Sequence, residues 1–233
     1  MYKKSLSAAV GAMALLGSLA FAAPAQAGGY CPDPGTAKLS VLHGVPGLTV
    51  DVWVDGKLTL DNFTPGTLAG PLDVSAGDHK IAITGADATS ADNPVIGPVK
   101  VDLKAGRDYT AVAHLNADGE PTATLFRNDT KPAPEGKGKL TVRHVAAAPA
   151  VDVLAGGTAV IEGLENPDQK KLTLDAGTVE ASVAAAGSTE ALIGPAPVTV
   201  TAGENTIVYA WGSLADNNLA LAVQVVKSQN HDN

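Results

Sequence analysis

The sequence predicts an all-β protein: two tandem immunoglobulin-like antiparallel β-sandwich modules following a cleaved signal peptide. Three observations carry this. Apolar and polar residues alternate with a period of two, turn signals recur every eight to twelve residues, and the chain repeats itself about a hundred residues on.

The elements follow in chain order. "MYKK" is basic, "LSAAVGAMALLGSLAFA" is apolar and "APAQA" ends in the small-x-small pattern of a signal-peptidase site, so residues 1–27 read as a signal peptide cleaved after Ala27. No second apolar span follows, so no membrane span is expected. Residues 28–36 form a flexible tail carrying the single cysteine, Cys31, in "GGYCPDP". A lone thiol in an exported chain builds no internal disulfide framework, and it allows a disulfide-linked dimer. Tyr30 immediately before it is too bulky for a lipidation site.

The repeat defines the modules. "KLSVLH" at Lys38 returns as "KLTVRH" at Lys139, and "VDV" at Val50 returns at Val151. "IGPVKVDLKAGRDYTAVAH" from Ile96 aligns with "IGPAPVTVTAGENTIVYAW" from Ile193. Module one therefore spans residues 37–127 and module two residues 139–227, with a short C-terminal tail at 228–233. Between them "NDTKPAPEGKG" (128–138) offers prolines, glycines and charges with nothing to bury, and reads as a linker. Within each module the strands alternate: Leu39, Val41 and His43 share one side, Ser40 and Leu42 the other. "TVDVWV", "HKIAIT", "VKVDL", "YTAVAHL" and "NTIVYAW" behave likewise, and "VPG", "VDGK", "TPG" and "KAGRD" punctuate them. The alanines of "VAAAPAV" and "EASVAAAGSTEA" favour helix, but a proline and the aligned strands of module one argue for strand and loop.

The strand ending in His, the Ala/Pro/Gly-rich loop, "VDVWVDG" and the later "GPVKVDLKAGRDYTAVAHL" together resemble the secreted bacterial domain of unknown function 4397 (DUF4397). Module two fits less closely, with "VDVLAGG" in place of an acidic turn and Trp211 where module one has His114. The resemblance implies an exported, envelope-associated β-sandwich, often in tandem, with no cofactor.

Charge narrows the partners. Removing Lys3 and Lys4 leaves 14 of the 16 basic residues against 24 acidic ones, a formal charge of −10. Such a surface repels phosphate backbones, which disfavours nucleic acid. Aromatics make up 4% of the chain, too few for a stacking platform.

The most suggestive residues are a repeated pair. His43 precedes Asp51, and His144 precedes Asp152, each with seven residues between. A catalytic pair would need a nucleophile, and neither module has a G-x-S-x-G elbow or an aligned serine or cysteine. The expected role is structural: a buried, hydrogen-bonded clip in which the Asp reaches the imidazole or accepts backbone N–H groups. The five histidines are too dispersed for zinc. The nearest approach to a calcium site is Asp87 and Asp92 in "GADATSADN", and a solvated loop is the plainer account of it. Trp53 and Trp211 are either core residues or anchors for a partner. The functional expectation is a secreted, non-enzymatic binding or scaffolding element, free or loosely held on the cell wall, whose partner is a wall or surface component or another protein. The alternative is an extracellular ligand- or calcium-binding protein using the long loop of module one.

Overall fold

The computed structural model describes residues 35–229. The cleavage site after Ala27, Cys31, His231 and most of both tails lie outside them. Among the described residues every regular element is a strand, and no helix is long and apolar enough to cross a membrane.

Module one contains β1 (Thr36–Gly44), β2 (Val50–Val54), β3 (Lys57–Phe63), β4 (Leu68–Ser75), β5 (Gly77–Gly85), β6 (Ile96–Leu103), β7 (Asp108–Leu115) and β8 (Pro121–Arg127). Module two repeats the series as β9 (Lys137–Ala147), β10 (Val151–Ala155), β11 (Thr158–Leu164), β12 (Gln169–Asp175), β13 (Gly177–Ala185), β14 (Ala191–Val200), β15 (Asn205–Ser213) and β16 (Ala220–Val226). Each module is a sandwich of two four-stranded sheets. The orders are β4-β1-β7-β8 over β3-β2-β5-β6, and β12-β9-β15-β16 over β11-β10-β13-β14.

One feature departs from the expected antiparallel pattern. β1 runs parallel to β7, with Leu39 opposite Tyr109 and Val41 opposite Ala111, and β9 runs parallel to β15 in the same way. A parallel pair needs a long crossover, and the intervening strands of the sandwich supply it.

Local chemistry explains the turns. The hairpin after β2 uses Asp55 and Gly56 at φ 51° and 77°, and its counterpart uses Gly156 and Gly157 at 56° and 82°. Left-handed backbone at both central positions is what a two-residue hairpin needs to match strand twist. The repeated "IGP" places Gly97 and Gly194 at φ 95° and 89°, where an added Cβ would lie 2.7 Å from the carbonyl oxygens of Ile81 and Ala181. Both sit at register shifts on the edge strands β6 and β14, which also accommodate the prolines.

The inward faces form one core per module: Leu39, Val41, Val50, Ile83, Leu103 and Tyr109 in the first, Leu140, Val142, Val151, Leu164, Val200 and Val208 in the second. β7 is nevertheless buried along its whole length, on both faces. The other face meets module two. Leu42, Val112 and Phe126 join Val145, Ile207, Tyr209 and Val226 in a third core. The stretch read as a linker with nothing to bury is part of this junction: Asn128 and Thr130 are buried at 3% and 7% exposure. Asn128 docks it, because its side chain finds partners on the adjoining strands: Asp108 and Thr110 on β7 and Arg143 on β9.

Candidate functional site

The His–Asp pairs prove to be two clips each rather than one. His43 closes its own loop: Nε2 lies 2.7 Å from the Leu48 carbonyl, and Nδ1 accepts the Val45 N–H at 3.5 Å. His144 does the same with the Pro149 carbonyl at 3.1 Å and the Ala146 N–H at 3.4 Å. This pattern describes a neutral imidazole that donates from Nε2 and accepts at Nδ1. Both rings are 1% exposed, and His43 also stacks on Phe63. Burial lowers the pKa of each, outweighing the carbonyl contacts that favour the charged form.

The aspartates act elsewhere. Asp51 Oδ1 accepts the Asn62 N–H at 2.8 Å, and Asp152 Oδ1 accepts the Gly163 N–H at 2.8 Å. Asn62 and Gly163 are both left-handed, at φ 52° and 59°, and lie where the second and third strands of each module shift register. The carboxylate thus pins a bulge, and Asp152 also accepts the Gly187 N–H at 2.7 Å. Neither aspartate hydrogen-bonds its histidine. Asp87 and Asp92 stay in an irregular loop, where Asp92 accepts the Ser90 hydroxyl; among the described residues no three His, Cys, Asp or Glu side chains are placed to hold a metal.

A third pairing was not singled out from sequence. His79 Nδ1 meets Asp55 Oδ2 at 2.6 Å, Nε2 meets the Ser75 carbonyl at 2.7 Å, and Asp55 Oδ1 accepts the Lys80 N–H. Burial pulls the His79 pKa down, but the Asp55 hydrogen bond, the Ser75 carbonyl and the nearby carboxylates outweigh it, and the net shift is upward. The pair separates two open grooves of about 700 and 680 Å³ on module one. The signal in sequence was the "VDG" turn facing "DHK", two strands apart.

The densest chemistry lies at the module junction. Arg143 is 1% exposed and sandwiched between aromatic rings, its Cζ 4.4 Å from the Phe126 centroid and 5.3 Å from that of Tyr209. Its Nε donates to Gln169 at 2.9 Å, Nη1 to the Tyr209 hydroxyl at 2.7 Å and Nη2 to Asn128 Oδ1 at 2.8 Å. Asn128 in turn donates to Asp108 at 2.6 Å and to Thr110 at 2.9 Å. Gln224 Oε1 accepts from Thr110 and Tyr209, while its amide donates to Ser40. The guanidinium charge reaches its buried counter-charge through an amide. Burial pushes the Asp108 carboxyl up and the Arg143 guanidinium down, so each group depends on this network to stay satisfied.

Trp53 is core, its indole N–H donating to Thr84 at 2.9 Å. Trp211 packs at the junction against Gly66, and its indole N–H is buried without an acceptor.

No curated protein matches the chain. The family model described as "Domain of unknown function (DUF4397)" matches residues 37–154, all of module one, the connector and the first two strands of module two. With half of its length under that match and the all-β sandwich that the motifs imply, the chain belongs to the DUF4397 family.

Proposed function

We propose that the protein is exported and works outside the cell, or loosely held on its wall, as a non-catalytic binding and scaffolding element. One observation carries this reading: all four described histidines have both ring nitrogens engaged by groups of their own chain. A general base needs a free lone pair within reach of a substrate proton. His43, His114 and His144 are buried, and His79 is locked between Asp55 and the Ser75 carbonyl. The chemistry-bearing residues hold strands together.

What supports binding is the junction. Two sandwiches sharing a buried core and a continuous polar network present their surfaces in fixed relation, which suits a docking body better than two beads on a flexible tether. The partner expected is a wall or surface component or another protein.

The test is retention of the labelled, purified protein on isolated envelope of the producing cell. Saturable retention, with no turnover of ester, peptide or glycoside substrates, is the expected result. Retention that never saturates, or turnover abolished by His79→Ala, would overturn the reading.

A further inference from the structure

Beside the buried network, where the connector passes between the modules, lies an open cleft of about 280 Å³. It is lined by Arg107, Arg127, Asp129, Thr130, Lys131 and Lys171, with Asn128 at its floor. All three parts of the chain contribute. Arg107 and Arg127 come from module one, Asp129 to Lys131 from the connector and Lys171 from β12 of module two. The cleft therefore exists only when the modules are docked.

Its charge is out of character for the protein. Asp129 is the one carboxylate lining it among the described residues, and that carboxylate is already shared by Lys171 and Lys139, each at 3.0 Å. Arg107, Arg127 and Lys131 have no side-chain hydrogen bond or ion pair among the described residues. With Lys139 counted, five cations surround one anion, in a chain where acidic residues outnumber basic ones 24 to 16. Beneath them Arg143 and Asp108 offset one another through Asn128. Like charges gathered around one concave wall repel, and an anion entering the cleft relieves that repulsion. Two unpartnered guanidiniums offer forked N–H donors that match the oxygens of a phosphate or carboxylate.

Size and surroundings select among anions. At about 280 Å³ the cleft falls just below the roughly 300–1,000 Å³ typical of ligand pockets, so the group it takes is compact. The net charge of −8 on the chain disfavours a long polyanion laid across the molecule. A local excess of several positive charges is better matched by a dianion than by a single carboxylate. We propose that this junction cleft binds a compact dianionic phosphate group, either as the free ion or as a phosphate monoester on a surface component. The site rests on the binding reading above and names the chemistry of its ligand.

The experiment is calorimetric titration of the purified protein at low ionic strength with inorganic phosphate, glycerol phosphate and acetate, each against sodium chloride at matched ionic strength. Saturable phosphate binding is expected, with acetate at least about tenfold weaker. The Arg107→Ala/Arg127→Ala double variant should bind phosphate at least about tenfold more weakly, since it loses charge-assisted hydrogen bonds from two guanidiniums. Neither arginine side chain has a hydrogen-bond or ion-pair partner among the described residues, so the fold should survive; if it does not, Lys131→Ala on the exposed connector carries the same test with a smaller loss. Glycerol phosphate binding as tightly as inorganic phosphate assigns an ester ligand, and inorganic phosphate binding alone assigns the free ion. Phosphate heats no different from chloride, equal binding by the variants, or acetate binding as well as phosphate would overturn the site. Should these titrations fail while envelope retention saturates, the cleft falls and the binding element stands.

Discussion

The two modules are nearly the same molecule on their inward faces and nearly opposite on the faces they turn to each other. Inside, Leu39, Val41, His43 and Val50 have Leu140, Val142, His144 and Val151 as counterparts. At the junction Leu42 is answered by Arg143, Thr110 by Ile207 and Val112 by Tyr209. Phe126, opposite Thr110, is answered by Gln224, opposite Ile207. Where one module is apolar the other is often polar, and the two sets interlock: Arg143 lies on Phe126, and Gln224 reaches Thr110 and Ser40. Inner faces must solve the same packing problem twice. Outer faces solve a complementary one, and the asymmetry disfavours either module pairing with a copy of itself.

Removing the guanidinium should break this comparison most severely. Arg143→Ala removes one hydrogen-bond donor each from Asn128, Gln169 and Tyr209, leaves the buried Asp108 without its offsetting charge and strips the stacked ring faces, so it should cost about 3–5 kcal/mol by urea denaturation. Arg143→Leu, which installs the module-one residue, should cost less, because packing is partly restored. The same loss for both would mean that the stacking contributes nothing.

The histidine clips come next, and here the modules should behave alike. His43→Ala and His144→Ala should each cost about 2–4 kcal/mol, since each opens a cavity and orphans a loop carbonyl. A mutant as stable as the parent would contradict the clip. Acid should weaken the fold through the same rings. Their folded pKa values lie below the unfolded 6.5, so their contribution is full above about pH 6.5 and is lost as the pH falls through the folded values. His79 has the opposite sign: its raised pKa makes its contribution full below about pH 6.5, lost as the pH rises. Urea midpoints at pH 5 and 7.5 should therefore shift in opposite directions for His144→Gln and His79→Gln relative to the parent.

A third, smaller effect sits at the connector. Partial burial pushes the Asp129 carboxyl up, but Lys171, Lys139 and the Lys131 N–H bring it down to about 2. Its contribution is present above about pH 4 and lost as the pH falls toward 2. Asp129→Asn should flatten the stability profile over that window. The smallest effect belongs to Trp211→Phe, within about 1 kcal/mol, because the lost ring area is offset by removing a buried N–H with no acceptor.

These differences also mark what could be read from sequence. The period of two and the turn residues placed the strands, because burial on one face imposes alternation directly on the chain. The repeat located both modules. The parallel pairing of β1 with β7 left no local trace, since it joins strands with five others between them. Arg143 in "KLTVRH" lies on the side of the strand opposite Leu140, Val142 and His144, and only the neighbouring module makes that face an interior. His43 and Asp51 suggested one clip because their spacing repeats, but repeated spacing records repeated geometry, not contact. The connector looked idle because Asn128 is polar, and the partners that bury it, Asp108, Thr110 and Arg143, lie outside its own segment.

The junction makes two modules one body, which scanning calorimetry can check. If residues 35–229 unfold as one unit, a single transition with an enthalpy of roughly 140 kcal/mol near 60 °C is expected, with calorimetric and van't Hoff values equal. Arg143→Ala should split it into two transitions of about 70 kcal/mol each. Two independent transitions in the unaltered protein, with Arg143→Ala moving only the second module's, would contradict the account.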